Sequence, residues 1–173
     1  TMNKYGSNQV KICAIDASTA KNQSSKTITI IYYSIPTAIT VISPLNNSSN
    51  IENIGGVLFK WSKSTDADGD VISYQFFYGK DLNNFLSKII NDTFSTVTGL
   101  DGDQKYFWYV NVLTASDTVR CPAAVGDYYT FNTRNHPAVI SNFNDINCHI
   151  NDTIPINITA TDPEGIREYR WDF

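Results

Sequence analysis

Three aspartates fall within five residues in Asp66-Ala67-Asp68-Gly69-Asp70, a spacing that sets carboxylates at alternate positions of a short loop. That is chemistry suited to a hard cation, since calcium takes roughly six to eight oxygen ligands. A twelve-residue calcium loop between helices also needs a glutamate at its last position. Counted from Asp66 that position is Phe77, so a self-contained loop of that kind is excluded. A cation here would need ligands gathered at a junction between two modules. The competing reading is a tight turn, with Asp and Gly at positions they favour, that launches the alternating run Ile72, Tyr74, Phe76 and Tyr78. The turn is the preferred reading, and calcium at Asp66, Asp68 and Asp70 is the alternative. No other cofactor is expected.

Other chemistry is sparse. His136 lies beside a proline and His149 in a polar turn, and neither accompanies a motif that would expose a Ser or Cys nucleophile. The three cysteines, Cys13, Cys121 and Cys148, are far apart and lack metal-ligand spacing. Their odd number leaves at least one thiol unpaired within the chain. A substrate cleft for Asp66 and Asp68 as paired glycosidase acids is not expected in a small sandwich. The chain is therefore read as non-enzymatic. Charged residues make up 17% of its 173 residues and the net charge is −4, which leaves no basic footprint for nucleic acid. No apolar run approaches the length of a membrane span, and no membrane insertion is expected.

The elements that must position these residues are strands. Apolar residues alternate with period two nearly throughout, in runs such as "KTITIIYYS", "VLFKWSK", "VISYQFFYG", "KYFWYVNVLT" and "YYTFNT", separated by turn clusters. "IPINITATD" and "REYRWDF" read as further strands, and only "LNNFLSKIIND" reads as a short helix or an irregular crossing. With hydrophobic residues at 42%, short strands at this spacing predict an all-β sandwich. Val57, Phe59 and Trp61 would share one inward face. Ile72, Tyr74, Phe76 and Tyr78 would share a second, and Tyr106, Trp108, Val110 and Val112 a third.

The chain also repeats itself. "SKSTDADGDVISYQFFY" and "ITATDPEGIREYRWDF" have one shape, and Asp66 and Asp162 stand 96 residues apart; "ICAIDAS" echoes "NVLTAS", with Ala17 and Ala115 98 apart. This period matches one seven-stranded sandwich. Residues 1–35 then read as the last strands of one module, 36–134 as a complete module, and 137–173 as the first strands of another. Linkers fall at Ser34-Ile35-Pro36 and from Thr133 to Pro137.

The middle module resembles a fibronectin type III domain. The matching residues are "VLFKWSKSTDADGDVISYQFFYG" with Trp61 in its second strand, the Leu100-to-Tyr106 spacing in "GLDGDQKYFWYVNV", and the closing "YYTFNTR". The flanks resemble immunoglobulin-like or PKD-type repeats. The resemblance implies an immunoglobulin-like β-sandwich with partial flanking modules, and a multi-module protein exported by a bacterium to the surface or the medium. In such a sandwich the Asp66–Asp70 loop shares its end with Asp117 and Asp127, whereas Asp101 and Asp103 lie at the other end. Tyr106 would turn its hydroxyl back to the loop before its strand.

Two functions follow as expectations. The first is a structural or adhesive spacer whose partners are neighbouring modules, other copies joined head to tail, or a host or matrix protein. The second is a carbohydrate-binding accessory module of a polysaccharide-degrading enzyme. It rests on Phe77, Phe107, Tyr109 and Tyr128, which alternation places on one outward sheet face where rings could stack on sugars.

Overall fold

Alternation in the sequence becomes burial in space. In the computed structural model, residues 6–141 and 145–172 are described. Their strands are β1 (Gly6–Ile15), β2 (Gln23–Tyr32), β3 (Val41–Ser43), β4 (Ser48–Ile51), β5 (Val57–Trp61), β6 (Ser73–Asp81) and β7 (Asn84–Ile90). They continue with β8 (Phe94–Val97), β9 (Lys105–Leu113), β10 (Thr118–Cys121), β11 (Tyr129–Thr133), β12 (Val139–Ile140) and β13 (Ala160–Thr161). The fold is all-β, with no helix among the described residues.

One sheet runs β4-β11-β9-β6-β7, with β10 also paired to β9, and a second runs β3-β5-β8. They face each other as a sandwich. Each inward residue of β5 and β9 is buried and each neighbour points out, as a period of two demands. Phe59 on the smaller sheet meets Phe76 at 4.8 Å, Trp108 at 5.3 Å and Phe131 at 5.6 Å between ring centroids. Val57, Trp61, Tyr74, Val110 and Val112 complete the same core. Tilted and edge-to-face contacts at these distances add to the burial itself.

Three local features differ from expectation. "LNNFLSKIIND" is neither helix nor crossing but contains β7, an edge strand paired antiparallel to β6. Its apolar spacing fits a helix, but the hairpin satisfies its backbone along β6. Gly79 makes the turn possible, since a Cβ there would stand 2.7 Å from the Asn84 carbonyl oxygen. "IPINITATD" keeps only β13, and "REYRWDF" has no strand among its described residues. Among the described residues β13 pairs with β12 in a two-stranded sheet, and residues 167–172 form no strand. The stretch "AVISNF", which holds β12, runs into residues 142–144, outside the described set.

The β1–β2 hairpin brings Val10 opposite Ile28, Asn8 opposite Ile30 and Ile12 opposite Lys26, so one face gathers Val10, Ile12, Ile28 and Ile30 between polar neighbours. Ile12 is 57% exposed there, and Trp171 is 50% exposed in the last segment. Cys13 and Cys148 are exposed free thiols and Cys121 is a buried one.

Candidate functional site

The acidic loop follows β5 and its carboxylates converge. One oxygen from each of Asp66, Asp68 and Asp70 lies within 4.8 Å of the others. At their centre is a residue that sequence reasoning passed over. Ser34 comes from the preceding linker, is 5% exposed, and donates its hydroxyl to Asp68 Oδ1 at 2.5 Å with Asp66 Oδ1 at 2.9 Å. The Ser34 amide donates to Asp68 Oδ2 at 3.1 Å, and the amides of Ala67 and Asp68 point back at Ser34 Oγ at 3.1 and 3.2 Å. The linker supplies no carboxylate, yet it supplies the hydroxyl around which the turn closes. Thr37 extends the hold: its amide donates to the Thr65 carbonyl at 2.8 Å, while Ser64 Oγ donates to the Thr37 carbonyl at 2.5 Å.

Electrostatics inside the cluster diverge. A side-chain hydrogen bond with Asp66, followed by the donors of Ser34, lowers Asp68 from 3.8 to about 2. Asp70 is raised, first by desolvation and then by repulsion from Asp68, Asp66 and Asp117. Asp117 is thus within electrostatic reach, as its shared end of the sandwich implies. The main-chain carbonyl of Asp127 accepts from Arg120 at 2.6 Å, which ties its loop to β10. Asp101 pairs with Lys80 at the other end of the sandwich. Most inward oxygens of Asp66 and Asp68 are taken by N–H and O–H donors; Asp66 Oδ2 alone is buried without a partner. The geometry is that of a turn gripping a linker. A cation would have to displace Ser34 to gain those oxygens.

The second candidate is the outer face of the large sheet. Phe77 and Tyr109 stack at 4.3 Å and 6° between planes, and Tyr109 and Phe107 meet Tyr128 at 5.8 and 6.1 Å. The four predicted rings are therefore together. Two members were missed. Phe85 on β7 packs on Tyr128 at 5.2 Å, and the helical spacing of its segment hides it from a strand pattern. Arg120 on β10 lies 4.4 Å from the Tyr109 ring centroid and 5.3 Å from that of Tyr128. Its guanidinium also donates to the carbonyls of Pro122, Ala124 and Asp127. The rings are half-buried against one another and Arg120 covers part of two. An open cleft of about 330 Å³ borders Phe107 and Tyr128, with Asn46 and Asp127 at its rim.

Of the histidines, His149 is a surface residue near Asp152. His136 is held between two carboxylates: Nε2 lies 2.9 Å from Glu52 Oε1 and Nδ1 2.8 Å from Glu164 Oε1. Both ring nitrogens are committed, which leaves neither to activate a nucleophile.

No protein-family model matches the chain, and comparison with the curated proteins finds no match.

Proposed function

We propose that the chain is a non-catalytic spacer segment, structural or adhesive, of a larger multi-module protein at the cell surface or outside the cell. In this reading the middle sandwich is a fibronectin type III-like module and its flanks are parts of neighbouring immunoglobulin-like or PKD-like modules. The single observation that carries it is the capture of Ser34 by the Asp66–Asp70 loop. A spacer transmits position only if the link between modules cannot swivel freely, and five hydrogen bonds between linker residue and loop restrict that swivel. The layering of β3-β5-β8 on β4-β11-β9-β6-β7 is in keeping with the module type. The exposed apolar faces of β1–β2 and of residues 145–172 are where neighbouring modules, or copies joined head to tail, would pack.

The test is a distance measurement across the first junction, with nitroxides at Lys11→Cys and Lys88→Cys and with Cys13 and Cys148 replaced by serine. A narrow distribution that broadens in Ser34→Ala is expected. A broad distribution in the parent protein would sink the spacer reading.

The glycan-binding reading draws support from the cleft beside Phe107 and Tyr128. Against it, Phe77 and Tyr109 use one face of each ring on the other. Titration with glucan, xylan and chitin oligomers should leave the amide resonances of Phe77, Phe107, Tyr109 and Tyr128 unmoved. Saturable shifts at Phe107 and Tyr128 would favour the accessory-module reading instead.

A further inference from the structure

The second linker is gripped as the first is. Glu164 stands 96 residues after Asp68, at the equivalent position of the repeated Thr-Asp-x-acid-Gly turn. Asp68 uses one oxygen for the Ser34 amide and the other for the Ser34 hydroxyl. Glu164 does the same for His136: Oε2 accepts from the His136 amide at 3.3 Å, and Oε1 lies 2.8 Å from Nδ1. One carboxylate, in the same place of each repeat, receives the main chain and side chain of the linker residue before it. What differs is the residue held. Ser34 has no proton to lose near neutral pH, and His136 does.

We propose that the junction between the sandwich and the segment beginning at Pro137 is a pH-released clamp, closed while doubly protonated His136 bridges Glu52 and Glu164. The inference rests on the spacer reading above and adds regulation to one of its two joints.

The geometry demands the imidazolium. A neutral imidazole carries one N–H, so one of its two carboxylate contacts would become a lone pair facing an anion. The ring is well enclosed, with its side chain 11% exposed and that of Glu164 18% exposed. The surrounding charges favour the cation. Glu52 approaches from the segment after β4, with Arg134 3.4 Å from its second oxygen. From the loop after β13, Glu164 is oriented by its own amide, which donates to Asp162 at 2.8 Å. From the loop before β9, Asp101 and Asp103, with Lys80 beside Asp101, line the same recess as Glu164. Gly102 in that loop seats the Glu164 side chain: a Cβ there would collide with its carboxylate.

The sign follows. Hydrogen bonds to Glu164 and then Glu52 raise His136 above its ordinary 6.5, so the stabilisation is full below 6.5 and is lost as pH climbs through the raised value. Glu164 is lowered chiefly by His136, and Glu52 by the Ile54 amide and then His136, both from 4.5. Their share is lost only in acid, as pH falls through those lowered values. The clamp is closed between these limits and opens on the alkaline side.

The experiment uses the 173-residue chain with Cys13 and Cys148 replaced by serine and nitroxides at Lys88→Cys and Arg167→Cys. At pH 6 the distance distribution should be narrow, and at pH 9 wider by about twofold or more, with the same midpoint as the NMR titration of the His136 ring. His136→Gln should abolish the pH dependence, and Gly102→Ala, which displaces Glu164, should give the wide distribution at both pH values. A width equal at pH 6 and pH 9 in the parent protein, or a change that persists in His136→Gln, overturns the clamp. The Lys11/Lys88 pair reports separately on the spacer reading, because Ser34 should hold it narrow at both pH values.

Discussion

Tyr106, the second residue of the long central strand β9, is buried, and its hydroxyl oxygen accepts the Asp101 amide at 2.9 Å. The turned-back hydroxyl is what the resemblance implied, and the group it holds is the Asp101 N–H. Tyr106→Phe leaves that N–H without its partner and should lower stability by about 1–3 kcal/mol. Trp61→Ala, which empties the centre of the core between Tyr74, Phe76 and Trp108, should cost about 3–5 kcal/mol. Denaturant unfolding of both variants checks the pair. A neutral Tyr106→Phe would remove the hydrogen bond from the account of this loop. The three aspartates were legible at this scale as turn formers with convergent carboxylates. Ser34 was not, because its role depends on a contact 32 to 34 residues away in sequence that no local pattern encodes.

Strands declare themselves when both faces are distinct. β5 and β9 alternate between buried and exposed positions and could be read directly. β7 could not, because Leu82, Phe85, Leu86, Ile89 and Ile90 recur at helical spacing and only pairing with β6 decides the matter. β4 is short and polar, and is held by parallel pairing with β11 and by Asn46 accepting from the Thr130 amide. Arg120 belongs to the β9–β10 hairpin and ties it to the following loop through three carbonyls while lying over two rings. Arg120→Ala should cost about 1–3 kcal/mol, since hydrogen bonds to a charged group are the stronger kind. It should also speed hydrogen exchange in residues 123–127 more than in β6. Uniform acceleration across both would mean that Arg120 contributes only to global stability.

Across the whole molecule the two gripped linkers respond to different solutions. The first junction depends on Asp68 remaining ionised, and its value is depressed from 3.8 to about 2. Its contribution is full above 3.8 and lost as pH falls towards 2, so the Lys11/Lys88 distances should broaden only in that acid range. Millimolar calcium should shift the melting temperature by less than about 2 °C, because a site filled to 100 times its dissociation constant would add about 2.7 kcal/mol and a much larger shift. A rise of several degrees that Asp68→Ala removes would make the acidic loop a cation site. β4 lies near the entry of the middle sandwich, β11 lies at its exit, and the two run parallel. Pulling the chain from both sides would drag these strands past one another along their length. Their main-chain bonds, from Asn47 to Thr130 and from Arg134 to Ile51 among them, would then have to fail together under shear rather than peel one at a time. A chain of such units would stretch first at its joints and surrender its folded length only at higher tension.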